Sequence, residues 1–174
     1  TLDDTKTIIA RMLESRTALA FGGSFISYEL CDGFAMRKLD TTWLMRSPFW
    51  LRGCLDPDGG EVVDNIAKKF GVHIIHGDEI ESIVPTNGVP GYVKTKKGRE
   101  IQADVIGVGL GITLNTQLLA DTSVEVRRGV VVNEYLESSV PGIYAAGDVA
   151  EFYDITVDEH HTMGTWDNAL AHGR

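Results

Sequence analysis

A short apolar run, Ala18-Leu19-Ala20-Phe21, stops at Gly22-Gly23, and a helix-spaced pattern begins two residues on, with Phe25, Ile26, Leu30 and Phe34 near one face. Few local patterns constrain a fold more. Consecutive apolar residues suit a strand buried on both faces, and such strands belong to parallel sheets covered by helices. Residues 41–45 (TTWLM) supply a second strand soon after that helix, so the segment reads as a strand–helix–strand unit. Residues 58–70 (DGGEVVDNIAKKF) predict the next helix, and residues 71–77 (GVHIIHG) a third strand. Ahead of the first strand, residues 2–14 place Leu2, Ile8, Ile9, Met12 and Leu13 near one helical face, with Thr1 and Asp4 as a capping pair. Strands joined by helices through short connections predict a parallel sheet with right-handed crossovers.

The texture then changes. Residues 80–84, 92–95 and 100–108 read as short strands separated by the turn signals Thr86-Asn87-Gly88 and Lys96-Lys97-Gly98, a β-meander rather than another strand–helix repeat. Beyond it, residues 129–133 (GVVVN) and 142–148 (GIYAAGD) are each expected to form a short buried strand, and a last helix is expected from about Glu159 to the end of the chain. The fold class is therefore α/β: a Rossmann-like parallel sheet with flanking helices and a β-meander over residues 1–111, then part of a second α/β domain over residues 112–174.

Bulk properties exclude several classes. A length of 174 residues allows one domain, or one plus part of another. A net charge of −9 leaves no basic stripe for a nucleic-acid backbone. No run approaches the roughly 20 apolar residues that cross a bilayer, and TLDDTKTIIARMLES at the start does not form a signal peptide. Cys31 and Cys54 lack redox or metal spacing and are expected to be buried free thiols in a reducing cytoplasm. Adjacent His160 and His161 read as a solvated turn, so no metal site is expected.

The chemistry-bearing pattern is the glycine turn. Between a first strand and the helix it feeds, small residues let backbone approach a pyrophosphate while the helix N-terminus faces its charge. The usual spacing is G-x-G-x-x-G; here the stretch is Gly22-Gly23-Ser24-Phe25-Ile26-Ser27, with serine at the second and third glycine positions. A serine hydroxyl can donate to phosphate, but its Cβ crowds the approach. At the end of the second strand an acid would accept from the 2′-hydroxyl of NAD, whereas arginine suits the 2′-phosphate of NADP. Arg46 occupies that position and Arg52 follows, with Asp40 and Asp56 the nearest carboxylates, which tilts the reading toward NADPH. The same residues also fit a strand–turn–helix without a ligand and two solvated loop arginines. Asp148, emerging after an apolar run and Gly147, is placed to accept hydrogen bonds from sugar-alcohol hydroxyls, although Gly-Asp after a strand is also an ordinary turn.

These residues carry a resemblance. Phe21 to Leu30 (FGGSFISYEL) resembles the strand–glycine–helix segment of the pyridine nucleotide–disulfide oxidoreductases, a superfamily that includes ferredoxin, rubredoxin and nitrite reductases and NADH oxidases. Residues 46–52 resemble the paired-arginine loop of its NADPH-using members. Asp104 to Gly111 (DVIGVGLG), with Gly109 and Gly111, resembles the crossing back from the nicotinamide domain; of the Arg-Pro-Asn that usually follows, Thr113-Leu114-Asn115 keeps only the asparagine. Residues 129–135 and 138–148 are the most specific stretch.

The resemblance implies an FAD-dependent NAD(P)H oxidoreductase that passes hydride from NAD(P)H to FAD and on to an acceptor, either a small redox protein or a small molecule. It implies an NAD(P)-binding domain at 1–111 and a partial FAD-binding domain at 112–174. Another FAD half-domain is expected before Thr1 and an interface domain after Arg174, with a homodimer as the expected assembly. It places Glu29 near the nicotinamide, Gly147 and Asp148 on the flavin's ribityl or pyrophosphate side, and Trp166 in a helix beneath the flavin ring; Trp166 also fits a core or domain contact. Two other readings stay open: a nucleotide-binding or sensing module without catalysis, and an interaction protein whose turn has lost its ligand.

Overall fold

Strand β1 (Thr17–Phe21) alternates small and large side chains, and that alternation decides what each face of its sheet can hold. Ala18 and Ala20 face the helices, where their small size lets α2 (Phe25–Met36) approach closely; Leu19 and Phe21 face the opposite layer. Strand β2 (Asp40–Met45) divides its residues the same way, Trp43 and Met45 toward the helices and Leu44 away from them. Both faces are therefore covered, which is why these strands read as continuous apolar runs. The structure is a computed structural model describing residues 1–86 and 88–174; Asn87, in the expected meander turn, lies outside the described residues.

The chain divides into two compact units, Thr1–Gly111 and Ile112–Arg174. In the first, α1 (Leu2–Glu14) begins in a capping box between Thr1 and Asp4. Helix α3 (Pro57–Lys69) starts from Asp56, whose carboxylate accepts from the Gly59 amide at 2.7 Å, with proline at its first turn. Strand β3 (His73–His76) pairs parallel with β2, and β2 with β1. The chain then leaves the sheet for the antiparallel meander of β4 (Ile80–Thr86), β5 (Val89–Thr95) and β6 (Glu100–Gln102). It returns as β7 (Val105–Val108), parallel to β1 on its free edge, so the sheet order is β3-β2-β1-β7.

Residues 100–108 were expected as one strand, and the structure breaks them in two. Asp104 is the reason. Its Oδ2 accepts from the Arg16 amide (2.9 Å), the Thr17 amide (2.9 Å) and the Thr17 hydroxyl (3.0 Å), tying the entry of β7 to the entry of β1. Ile101 and Ala103 on one side of this junction face the meander layer, and Val105 on the other side joins the helix layer. The thiols also divide: Cys31 is buried as expected, and burial with the neighbouring Asp32 charge pushes it up to about 12, whereas Cys54 is exposed because its loop lies outside both layers.

In the second unit, β8 (Val130–Val131) pairs parallel with β9 (Ala150–Asp154), and β9 antiparallel with β10 (Glu159–His161), around Val124, Val130, Val132, Ala145 and Ala150. The buried Glu151 carboxylate accepts from the Gly129 amide at 2.8 Å. Two expectations fail here. Residues 142–148 form no strand; Tyr144 makes a single bridge to Glu137 before a 3-10 turn at Gly147–Val149. The last helix does not begin near Glu159. Residues 159–161 pair with β9, so His160 and His161 are on a strand rather than a turn, and His161 Nε2 approaches Asp154 Oδ2 at 3.3 Å. Helix α4 (Trp166–His172) starts only at Thr165, whose hydroxyl caps it by accepting from the Asn168 amide. Among the described residues no helix is long and apolar enough to cross a membrane.

The Asp104 junction makes a pH-dependent prediction. The Arg16 amide first, then the Thr17 amide, hold this carboxyl below its ordinary 3.8 against partial desolvation. A folded-state value below the unfolded one stabilises above the unfolded pKa, and that contribution is lost as pH falls through the folded value. Asp104→Asn is expected to cost about 1–2 kcal/mol in urea unfolding at pH 7, the size of a lost charged hydrogen-bond acceptor. The gap between variant and parent should close as the pH is lowered below about 4; a gap unchanged at pH 3 would assign the cost to something other than the carboxylate.

Candidate functional site

The order of the first sheet reverses beside β1: β2 follows it on one side and β7, much later in sequence, lies on the other. Loops leaving the carboxyl ends of two such strands diverge, and the opening between them is where doubly wound sheets hold ligands. Here a cleft of about 490 Å³ opens at that place. Gly22, Gly23 and Ser24 line it from the end of β1, Gly109 to Gly111 from the end of β7, and Arg46 and Arg52 from the loop after β2.

Backbone contact, not side chains, closes the floor of the cleft. The Gly109 amide donates to Phe21 O at 2.8 Å and the Gly22 amide to Leu44 O at 2.9 Å, so the sheet ladder continues one residue past the strands. Gly22 has φ +134°, and a Cβ there would lie 2.1 Å from Gly109 O. A Cβ on Gly109 would lie 2.6 Å from the Ser27 amide nitrogen. Neither position has room for a side chain.

That close approach explains how serine is accommodated where glycine is usual. Ser27 is fully buried against Gly22 and Gly109, which leave the space its Cβ needs. Its Oγ accepts from the Ser24 amide at 3.0 Å and donates to Ser24 O at 2.7 Å. The Ser24 hydroxyl donates to Gly109 O at 2.9 Å. Both hydroxyls are thus engaged within the turn rather than held ready as phosphate donors. The Gly23 amide, in the lining of the cleft, and the first amides of α2, at Phe25 and Ile26 just beyond Ser24, have no hydrogen-bond partner among the described residues, and the last two lie at the positive end of the helix dipole.

The remaining residues picked out from sequence fall into separate places. Arg46 and Arg52 are exposed, and among the described residues neither is in an ion pair. No carboxylate lines their cleft among the described residues. Phe25 and Glu29 do not line it; they border an adjoining apolar cavity of about 340 Å³ between α2 and α3, walled by Tyr28, Trp43 and Trp50. Ile26 is 40% exposed and lines neither cavity. In the second unit, Asp148 borders a cavity of about 670 Å³ with Ile112, Asn115, Val130 and Tyr144. Gly147, at φ +73°, donates its amide to His172 Nδ1 at 3.1 Å. Trp166 is 80% exposed at the start of α4 and does not line that cavity.

Sequence reasoning missed Ser47, Leu51, Gly53 and Cys54, which also line the cleft. It also missed the indole hydrogen bonds of Trp43 and Trp50 to the glycine turn. No spacing rule announces them, because each indole meets a main-chain carbonyl distant in sequence. The engaged hydroxyl of Ser27 is directly testable. Ser27→Ala strands the Ser24 amide, and urea unfolding is expected to show a loss of about 1 kcal/mol, as for a removed N-cap acceptor; no loss would mean that the turn does not depend on this bond.

Comparison with known proteins agrees with this geometry. A family model for pyridine nucleotide-disulphide oxidoreductases matches residues 1–173. Nitrite reductase [NAD(P)H] of Bacillus subtilis (strain 168) is 31% identical over 150 residues, covering 86% of this chain and 18% of that protein. A chain of the covalent putidaredoxin reductase–putidaredoxin complex superposes with a TM-score of 0.89 at 24% identity, covering 98% of this chain and 41% of that one. An engineered water-forming NADPH oxidase bound to NADPH superposes with a TM-score of 0.86 at 24% identity, covering 99% and 38%. The chain spans less than half the length of each of these relatives. Because the family match runs almost from end to end, the chain belongs to the pyridine nucleotide-disulphide oxidoreductase family.

Proposed function

We propose that residues 1–111 bind NADPH as the nicotinamide-nucleotide part of an FAD-dependent oxidoreductase, and that residues 112–174 contribute one side of its flavin site. The observation that carries this is the carboxylate-free cleft, where a helix N-terminus and two arginines without ion-pair partners among the described residues converge. In this reading the first amides of α2 meet the pyrophosphate. Gly22 and Gly109 keep Cβ atoms out of its way. Arg46 and Arg52 meet the 2′-phosphate through planar, charge-assisted bonds.

The pattern of residues around the cleft supports NADPH over NADH. The water-forming oxidase of Lactobacillus brevis is described as an NADH oxidase bound to NADH, and its five-fold substituted variant as an NADPH oxidase bound to NADPH. Three of those substitutions introduce arginine, serine and arginine at intervals of one and five residues. Arg46, Ser47 and Arg52 have the same residues at the same intervals. A fourth removes an aspartate immediately before the first arginine, where this chain has Met45. The fifth replaces a glycine 19 residues before that arginine by alanine, where this chain has Ser27. An acid next to the 2′ position would repel a phosphate, and its absence here matters as much as the arginines.

For the flavin, the fit rests on Asp148, an exposed carboxylate after Gly147 at the edge of a cavity, with Gly164 close enough that a Cβ there would lie 3.4 Å from its Oδ2. Such a carboxylate accepts from ribityl hydroxyls, and the chemistry a bound FAD supplies is two-electron transfer between nicotinamide and acceptor. The acceptor is proposed as a small redox protein or a small molecule reached by the whole protein. Calorimetric titration tests the nucleotide assignment. NADPH is expected to bind more tightly than NADH, and Arg46→Ala to weaken NADPH by about 10- to 100-fold with little change for NADH, the cost of one charge-assisted contact. Equal binding of the two nucleotides by the parent chain would remove the 2′-phosphate assignment.

A further inference from the structure

Strand β2 and the loop after it, which carries both arginines, together engage every carbonyl of the glycine turn. The Trp43 indole on β2 donates to Gly22 O at 2.9 Å, the Leu51 amide donates to Gly23 O at 3.2 Å, and the Trp50 indole donates to Ser24 O at 3.1 Å. Ser24 O is also the first acceptor of the α2 ladder, taking the Tyr28 amide at 3.1 Å. Trp50 therefore ties the loop to the N-cap of the helix itself.

Ring packing adds to the fastening. Trp50 meets Phe25 edge-on, with centroids 5.5 Å apart and planes at 87°, and lies 5.2 Å from Tyr28. Both partners are on the first turn of α2. The residue between Trp50 and Arg52 is held in a conformation it would not choose alone: Leu51 has φ +48°, left-handed for a non-glycine residue. In that conformation its amide reaches Gly23 O and its carbonyl accepts from Cys54 (2.7 Å) and Leu55 (2.9 Å), closing the loop around Arg52.

We infer that Trp50 is the positioning residue for cofactor selectivity, because it fixes the separation between the pyrophosphate-binding helix N-terminus and the arginines that take the 2′-phosphate. This rests on the reading of the cleft as an NADPH site. NADH uses the turn and helix but has no group for Arg46 and Arg52 to hold. Loosening the loop against the turn therefore costs NADPH more than NADH. Trp43 is a poorer control point, since it is fully buried in the core and its loss would disturb the whole sheet.

The test is calorimetry with NADPH and with NADH on the parent chain and on Trp50→Phe, which keeps a ring but removes the N–H donor. The expected result is an NADPH affinity lower by about five-fold and an NADH affinity changed by less than about two-fold, the range for one neutral hydrogen bond. Phe25→Leu provides a second variant, at a position 45% exposed, that removes the edge-on ring contact with Trp50. It is expected to lower the NADPH-to-NADH affinity ratio in the same direction. Variants that keep the parent ratio, or weaken both nucleotides by the same factor, would overturn the inference and leave Trp50 a purely structural residue. A parent chain that binds neither nucleotide, or prefers NADH, would overturn the reading of the cleft and the inference with it, and this is seen before any variant is made.

Discussion

Everything proposed for the first unit depends on how closely the end of β1 approaches the end of β7. Gly22 and Gly109 bring two backbone turns within a distance that excludes any side chain, and α2 is laid against both. Gly107 also faces α2 along β7, where a Cβ would lie 2.9 Å from Leu30 Cδ1, a side-chain end that can move rather than backbone. With three small positions in register, the helix N-terminus is delivered to the floor of the cleft rather than held above it. A serine at the third fingerprint position is then tolerable. Its volume is taken up by the glycines opposite, and its hydroxyl satisfies the Ser24 amide and carbonyl that the turn would otherwise leave to water.

The second dependence is electrostatic. The chain carries a net charge of −9, yet its cleft is lined by two arginines and no carboxylate among the described residues. Local charge opposes the global balance, and local charge decides which anion is held, since contacts beyond about 10 Å are screened at ordinary ionic strength. The acids near this end of the unit are turned to other work. Asp78 is buried and receives the Glu79 amide, the Lys97 amide and Arg99 Nη1 at 2.9, 3.2 and 2.7 Å. Burial pushes its carboxyl up, but the Thr95 hydroxyl and these other donors outweigh that and hold it below the usual range. It joins the end of β3 to the meander, and its ion pair is with Arg99 rather than with Arg46, which lies in the same pocket.

Much of this was legible in the sequence, and the reasons differ by element. Buried parallel strands and amphipathic helices announce themselves through periodicity, so the elements through β3 appear near the expected boundaries. The positions of the glycine turn and of Arg46 were legible because a strand–helix–strand unit puts the turn after its first strand and Arg46 after its second. What was not legible depends on contacts between distant residues. The break at Asp104 exists because of Thr17, 87 residues away. The shift of the last helix to Trp166 follows from β10 pairing with β9. The roles of Ser24, Trp43 and Trp50 depend on carbonyls that only the folded turn brings near them. Glu29 and Trp166 carry roles assigned by resemblance alone; the structure sets Glu29 beside the adjoining apolar cavity and leaves Trp166 exposed.

In the proposed function three loops, from the ends of β1, β2 and β7, act together as one nucleotide site. Hydrogen–deuterium exchange on the chain with and without saturating NADPH reads this most directly, because it reports on each loop separately. NADPH is expected to slow exchange at residues 22–28, 46–54 and 109–111 together, with NADH protecting the first and third segments but not the second. Protection confined to other segments, or none in these three at saturation, would contradict it.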